Sequence, residues 1–373
     1  MRSLAIRSLS ISCFRNLAKV DVELGPKFNV VSGDNGQGKT NLLEAVYVLA
    51  TSRSFRTAKL PDLVRAGDDT ASLRATVTED DSSREQTIGL RRGLRAVRVD
   101  GKRPPTLADY ALRTPVVVFH AGSMALSSGA GAERRKLLDR VALYIAPASL
   151  ADLDLYAKAL RARQRVLETR GESAADLDGW EELVVRHGMA IASARREAAS
   201  RISPAVVSAF RRIGPPGLDV ELTFVGGAPA EATAFRDELR RRRAQDRARK
   251  AATVGPHRDD LRVVLGGYPM RGIASQGQHR AVVLAMELAE IDVVTGVRGV
   301  RPVLLLDDVS SELDRERTAA LLGALGDHEG QVVLTTTRPE IFEVTSPARG
   351  SSVGPKAPET ARFEVRRGEI FGR

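Results

Sequence analysis

The first forty residues alternate apolar and polar positions in short runs, the pattern of strands rather than helices. Leu4, Ile6 and Leu9 mark a first strand with imperfect alternation, and Val20-Asp21-Val22-Glu23-Leu24 a second that alternates cleanly. Phe28 to Val31 is a short apolar run that stops in a glycine-rich loop, after which Asn41 to Leu49 takes up helical spacing with good helix formers. The order is therefore strand, glycine loop, helix. Residues 72–119 read mainly as strands: Arg91 to Lys102, with Gly93 and Gly101, suits a hairpin on a meander, and Val116 to Phe119 a buried strand.

The texture changes near residue 132. From Glu133 to about Arg170, and again from Trp180 to Arg212, the chain is rich in Ala, Leu, Arg and Glu, with few glycine or proline interruptions. Leu137, Leu138, Val141, Leu150, Leu153, Leu155 and Leu160 supply apolar faces, so two or more long helices are predicted, open to packing as an antiparallel pair. A strand pattern returns in Leu218 to Leu222, followed by a charged helix-like segment from Ala234 to Lys250. Beyond Gly255-Pro256-His257 it returns once more in Leu261 to Leu265. No internal repeat is visible. The pattern predicts an α/β lobe, residues 1–124 and 251–373, interrupted by a largely helical insertion over 125–250.

A length of 373 residues fits two lobes better than one. The single cysteine, Cys13, excludes an intramolecular disulfide and a multi-cysteine metal site. The N-terminal segment meets charge too soon for a signal peptide's apolar core, and no run of 18 apolar residues occurs, so a cytoplasmic protein with no membrane span is expected. Fifty-seven Lys and Arg against 47 Asp and Glu leave a net charge of +10, which favours polyanionic partners, although an Arg-rich and Ala-rich composition also follows from base composition alone.

The glycine loop sharpens this. Gly33-Asp34-Asn35-Gly36-Gln37-Gly38-Lys39-Thr40 has the phosphate-loop spacing of Gly, four residues, Gly-Lys-Thr, set between strand and helix as its chemistry requires. Glycines let backbone amides curl around phosphate oxygens at a helix N-terminus; Lys39 would neutralise the β- and γ-phosphates, and the Thr40 hydroxyl would coordinate Mg²⁺. Far along the chain, Val303-Leu304-Leu305-Leu306-Asp307-Asp308 reads as a buried parallel strand ending in two carboxylates. Alone, such a pair suits a turn or helix cap. Beside a phosphate loop, Asp307 becomes a candidate magnesium ligand and Asp308 a group that orients or deprotonates an attacking water. Ser275-Gln276-Gly277-Gln278 lies between them and opens a helix-like run from Ala281 to Glu290.

Taken in order, these segments resemble the ABC-type ATPase heads of the SMC-like repair proteins, and among them the RecF family. Phe14-Arg15-Asn16, the phosphate loop with Asn41 to Ala45, and Arg53-Ser54-Phe55-Arg56-Thr57 carry the resemblance, with Arg134 to Asp139, Gly255 to Leu261, Ser275 to Gln278 and Leu306 to Asp314 further on. The fold it implies is an α/β ABC-type P-loop ATPase head with an antiparallel β meander and a largely helical inserted lobe. It implies ATP and Mg²⁺ as ligands and a weak ATPase activity that depends on dimerisation and DNA. By the same resemblance Ser275, Gln276, Gly277 and Gln278 form a signature loop that completes the nucleotide site of a second copy. Lys39, Ser275 and Asp308 would be catalytic, and Arg15 would approach the base or phosphates of its own copy. Ser311 to Asp314 would link the two sites.

The resemblance further implies work in DNA gap repair, recombination and the SOS response. The DNA would be gapped or carry a single-strand/double-strand junction; RecR would be a partner, with functional links to RecO, RecA and SSB. Two departures stand out: Ala121-Gly122-Ser123 occupies the place of a common Pro-Glu-Asp, and Thr337 the switch position where many such ATPases have histidine. Candidate DNA contacts are Arg53, Arg56, Lys59 and Arg65, and also Arg240, Arg241, Arg242 and Arg243. The latter four lie in a stretch from Arg236 to Lys250 with eight basic and three acidic residues, which equally suits a surface helix laced by ion pairs. The strongest alternative is another SMC-like repair or defence ATPase acting with a nuclease partner. A transporter ATPase leaves the helical insertion unexplained, and a purely structural DNA binder leaves Lys39, Thr40 and the aspartates without a role.

Overall fold

The computed structural model describes residues 2–308, 329–339 and 360–372. Leu306-Asp307-Asp308 are thus described, whereas Ser311 to Asp314 lie outside the described residues. Two compact units divide the chain: residues 1–123 with 294–373, and residues 124–293.

The first unit holds two sheets. Strands β1 (Leu4–Phe14), β2 (Leu17–Glu23), β4 (Thr70–Glu79), β5 (Ser82–Arg91) and β6 (Leu94–Val99) form the expected antiparallel meander in the order β2-β1-β4-β5-β6. The second sheet contains β3 (Phe28–Ser32), β7 (Val116–Phe119), β11 (Val303–Leu306), β12 (Val332–Thr336), β13 (Thr360–Arg366) and β14 (Glu369–Gly372). Its order is β14-β13-β3-β12-β11-β7, parallel throughout except for the β13–β14 hairpin. The run from Val303 to Leu306 is buried at every position, as a parallel strand covered on both faces must be. Helices α1 (Lys39–Thr51) and α2 (Leu107–Ala111) lie in this unit. Thr106 and Asp109 cap α2 reciprocally, which the strand reading of 72–119 does not foresee.

Helix α1 is buried along nearly its whole length because the two sheets share one apolar core, in which Leu42, Leu43, Val46 and Leu49 meet Ile6, Ile11, Leu73 and Leu305. A buried amide fastens the layers: Gln331 accepts from Ile6 N–H at 2.8 Å, and its Nε2 donates to the carbonyls of Ile6 and Gly25, each at 2.8 Å. With both ends satisfied, Gln331 adds order without an orphaned polar group.

The second unit is largely helical: α3 (Ala125–Ser128), α4 (Ala132–Ile145), α5 (Ser149–Arg170), α6 (Leu177–Ile213), α7 (Ala232–Arg241), α8 (Arg243–Arg249) and most of α9 (Gln276–Arg298). It also carries a small sheet of β8 (Val220–Val225), β9 (Asp260–Leu265) and β10 (Tyr268–Pro269) in the order β10-β9-β8. The pairings Arg163–Glu181 and Asp152–His187 climb one helix while descending the other, so α5 and α6 run antiparallel. The single helix expected over 234–250 is two, because Arg242 leaves helical geometry between α7 and α8. Residues 251–293 belong to this unit: Leu261, Val263 and Leu265 of β9 and Val282 to Met286 of α9 pack into one core with Ala198, Ile202 and Phe210 of α6.

Two groups of ionic bonds hold the second unit. Arg195 grips Asp139 through both carboxylate oxygens at 2.7 and 2.9 Å and reaches Pro256 O and Asp259, while Arg134 grips Asp260 at 2.7 and 2.9 Å. The widely separated runs Arg134 to Asp139 and Gly255 to Leu261 are therefore one structure. Burial pushes the Asp259 carboxyl above its ordinary range, against the pull of the Gly227 N–H and Arg195. The second group centres on Arg163, which is fully buried and bonded to Glu181, to Asp246 and to Leu239 O at 3.0, 2.7 and 2.8 Å. Both carboxylates are fully buried as well. Replacing Arg163 takes the guanidinium partner from buried Asp246 and leaves Glu181 to Arg243, so Arg163→Met is expected to lower unfolding stability by about 3–5 kcal/mol in urea titration. A loss under about 1 kcal/mol would mean that Arg243 and the Thr253 hydrogen bonds suffice for the two carboxylates.

Candidate nucleotide site

The parallel sheet brings the ends of β3, β12, β11 and β7 to one edge, where open α/β sheets bind ligands. The loop leaving β3 cannot carry side chains at two positions. Gly33 has φ +151° and a Cβ there would stand 2.5 Å from Val365 O on β13; Gly38 has φ +117° and a Cβ 2.9 Å from Asn16 Oδ1. Glycine resolves both the dihedral and the space. Gly38 is also the N-cap of α1, and it supplies no side chain for the first-turn amides, which leaves that end of the helix electropositive.

Bracing comes from outside the loop. Gln37 accepts from Arg367 N–H through its side chain at 2.6 Å and from Gly368 N–H through its carbonyl at 2.9 Å, so the β13–β14 turn grips the loop. Asn16 donates to Gln37 O at 3.2 Å and accepts from Asn41 at 2.7 Å. Neither the β13–β14 turn nor this use of Asn16 follows from motif spacing. The alternation of Ala361, Phe363 and Val365 is a strand signal, but only pairing puts Val365 behind Gly33.

Lys39 folds back onto its own loop, with Nζ donating to Gly33 O at 2.7 Å and Asp34 O at 2.8 Å. Burial draws its pKa below the ordinary lysine range, opposed by Asp308, Asp307 and Asp34. Thr40 donates from Oγ1 to Asp307 Oδ1 at 2.8 Å across 267 residues of sequence. Thr335 on β12 donates to the same oxygen at 2.9 Å and accepts from Asp308 N–H at 2.9 Å. This bridging hydroxyl is a site residue that sequence reasoning misses; Thr337, next but one along the chain, is exposed. Asp308 takes the left-handed conformation, φ +49°. Burial raises the Asp307 carboxyl above its usual range even though Thr40 and Thr335 stabilise its charge.

This donor set fits magnesium. A hydroxyl and a partly desolvated carboxylate stand 2.8 Å apart beside a phosphate loop, and among the described residues no group of three or more His, Cys, Asp or Glu forms a self-sufficient metal cage. Magnesium bound through one or two protein oxygens plus substrate phosphates needs no more.

Arg15 is ion-paired to the helix that carries the phosphate loop. It takes a left-handed backbone at φ +55°, pairs with both oxygens of Glu44 at 2.9 and 2.8 Å, and donates to Asp62 O at 2.7 Å. Glu44 is fully buried on α1 and also accepts from Arg56 at 3.0 Å and from Ser54. Arg15 and the segment Arg53 to Thr57 thus anchor the helix that carries the phosphate loop. Of the DNA candidates, Arg56 is held by Glu44 and Asn41, Arg65 lies 3.9 Å from Asp68, and Lys59 is exposed.

In the second unit, Ser275 and Gln278 form a reciprocal cap on α9: Gln278 N–H donates to Ser275 Oγ at 3.2 Å, and Ser275 N–H donates to Gln278 Oε1 at 2.8 Å. Gln278 thereby closes the turn that opens the helix. Gln276 and Gly277 occupy its first helical turn. The basic stretch shows the ion-paired arrangement: Arg240 meets Asp178 at 3.2 Å, Arg241 and Arg242 meet Glu238, and Arg243 meets Glu181 at 2.6 Å. No helix among the described residues is long and apolar enough to cross a membrane.

Comparison with known proteins agrees with this fold. Residues 5–354 match the family described as RecF/RecN/SMC N terminal domain. The DNA replication and repair protein RecF of Myxococcus xanthus is 39% identical over 348 residues, covering 90% of this chain and 91% of its own. That of an Anaeromyxobacter species is 38% identical over 372 residues, covering 97% and 98%. A solved structure of the recombination mediator protein RecF-ATPrS in the RecFOR pathway superposes with a TM-score of 0.83 at 26% identity, covering 99% of this chain and 98% of that one. The Smc head domain from Pyrococcus furiosus shares the fold alone, with a TM-score of 0.53 at 15% identity.

The raised Asp307 pKa has a consequence for the ligand-free protein. Its folded value exceeds the unfolded value of about 3.9, so its contribution to stability is most favourable below that pH and is lost as pH rises through the folded pKa. Asp307→Asn is accordingly expected to raise the Tm of ligand-free protein at pH 7, with the gain shrinking as pH falls toward 4. Calorimetry across that range checks it; a lower Tm at pH 7 would contradict the assignment.

Proposed function

The chain belongs to the RecF/RecN/SMC family of ABC-type ATPase heads, in its RecF branch, and from that premise we propose that it is an ATP-gated DNA clamp in gap repair and recombination. The observation that carries the reading is the Thr40–Asp307 bond, which joins the phosphate loop to the end of β11 where a nucleoside triphosphate and its metal would meet.

In this reading the first-turn amides of α1 and Lys39 receive the phosphates, Lys39 exchanging its bonds to Gly33 and Asp34 carbonyls for phosphate oxygens. Thr40 and Asp307 would hold Mg²⁺, which supplies neutralisation of charge on the phosphates. Asp308, fixed by Thr335 beside Asp307, orients a water for in-line attack. The water oxygen bonds to the γ-phosphorus, the bridging P–O bond breaks with its electron pair on ADP, and the water proton ends on the released phosphate. The weak turnover proposed here suits a nucleotide that acts mainly as glue.

Ser275 and Gly277, presented at the start of α9 by the reciprocal cap, face the γ-phosphate of a second copy. ATP binding therefore shifts the population toward a homodimer and hydrolysis reverses it. DNA, as a gap or single-strand/double-strand junction, binds the dimer through phosphate contacts, with RecR as direct partner and RecO, RecA and SSB as functional ones, and with a contribution to the SOS response. Supporting this assignment, relatives across nearly the full chain are DNA replication and repair proteins, and one solved relative is a recombination mediator in the RecFOR pathway. Lys59 is an exposed candidate DNA contact; the ion pairs of Arg240 to Arg243 weigh toward a structural role there.

Light scattering or sedimentation with gapped DNA, with and without ATP, tests the clamp. Wild type is expected to dimerise and retain DNA only with ATP, and Lys39→Arg and Ser275→Arg to lose both responses. Ser275→Arg should keep more nucleotide affinity than Lys39→Arg, because its direct effect in its own chain is loss of a cap, about 1 kcal/mol. Equal dimerisation and DNA affinity without ATP overturns the gated clamp.

A further inference from the structure

Four of the five parallel strands that end at the nucleotide edge have roles in the site: β3 leads to the phosphate loop, β12 to Thr335, β11 to Asp307 and Asp308, and β13 to the turn that braces Gln37. The fifth, β7, ends at Phe119 and delivers His120. Leu306 pairs with Phe119, and Asp307 N–H donates to Phe119 O at 2.9 Å, so His120 follows directly opposite the proposed metal ligand. Residues 121–123 that follow carry no ionisable side chain.

The local structure prepares this imidazole. Gly122 N–H donates to Nδ1 at 3.1 Å, which makes Nδ1 the acceptor and leaves the proton of the neutral ring on Nε2. The turn is closed by Ser123 N–H to His120 O at 2.8 Å and by His120 N–H to Ser123 Oγ at 3.3 Å. Phe55 lies against the ring at 4.9 Å and itself meets Tyr47 of α1 edge-on at 5.4 Å. A Cβ at position 122 would stand 2.6 Å from His120 Cε1, so the ring's seat requires glycine there. Ring orientation, tautomer and place in the sheet are all specified.

We propose that His120 donates a hydrogen bond from Nε2 to a γ-phosphate oxygen, stabilising the charge on that group during hydrolysis. The inference rests on the ATPase reading above and adds a residue to it. In this role His120 transfers no proton; it acts as a hydrogen-bond donor held beside the strand ends, the kind of donor whose removal costs turnover more than binding.

The test separates kcat from nucleotide affinity, with single-turnover ATP hydrolysis read beside titration of a fluorescent ATP analogue. His120→Ala is expected to lower kcat about tenfold to a hundredfold while affinity stays within about twofold. His120→Gln, whose amide N–H can donate, should recover part of the rate, and Gly122→Ala, which displaces the ring while keeping it, should resemble His120→Ala. Lys39→Ala serves as reference. If it abolishes turnover while His120→Ala hydrolyses ATP like wild type, the role of His120 falls and the ATPase reading stands. If Lys39→Ala keeps wild-type turnover, the ATPase reading falls and this inference with it. Equal losses of rate and affinity in His120→Ala, with no recovery in His120→Gln, would mark a structural residue and overturn the proposal.

Discussion

The parallel register of β3, β12 and β11 is the constraint on which the nucleotide site depends. Val30 to Ser32 pair with Leu334 to Thr336, and Leu304 to Leu306 with Val332 to Leu334. Because neighbouring strands keep step, residues about 300 apart in sequence finish at the same edge. A slip of one residue on β11 would turn Asp307 to the other face and separate it from Thr40 and Thr335. The buried Val, Leu and Phe side chains on both faces oppose that slip, so apolar packing sets polar geometry here. Gln331 adds a polar lock just before β12, tying the start of that strand to Ile6 and Gly25.

Charged groups follow a consistent rule across both units. Where a carboxylate is fully buried and structural, as at Glu44, Glu181 and Asp246, arginines hold it in fixed geometry. Asp307 instead has hydroxyls as its hydrogen-bond partners, and its carboxyl remains destabilised by burial. Hydroxyls can turn their protons away when a cation arrives, whereas a bidentate guanidinium would have to be displaced. That difference separates a carboxylate that maintains the fold from one available to a ligand.

The sequence is most informative where local chemistry and local structure coincide. Gly33 to Thr40 announces its role because glycine dihedrals, lysine and threonine must be contiguous, and Val303 to Leu306 because a doubly covered strand is uniformly apolar. The reciprocal cap of Ser275 and Gln278 is likewise visible in spacing. Residues whose roles arise only through pairing are not. Thr335 reads as one more β-branched strand residue, Asn16 as a turn residue, and His120 as an isolated histidine after a strand. The arginine-rich run was open between two readings because composition counts charges without showing their partners. Glu238 and Asp178 provide those partners, the second from a distant helix. The expected boundary at 250 follows a change from helix to strand pattern, whereas the compact division at 293 follows the core that β9 and α9 share with α6.

The polar groups of the site are hydrogen-bonded to one another. Lys39 rests on two loop carbonyls, and Thr40 gives its proton to the carboxylate that would share a metal with it. Binding a triphosphate is therefore an exchange of hydrogen bonds, and net affinity is the difference between two good sets. A site of this kind responds to ligand because Lys39 and Asp307 can each exchange a neutral partner for a charged one in a metal-bound triphosphate. Such differences can be small beside the gross interactions, which suits a protein whose proposed assembly state follows its nucleotide. Interactions contributed by a second copy would then decide whether the exchange is merely permitted or strongly favoured.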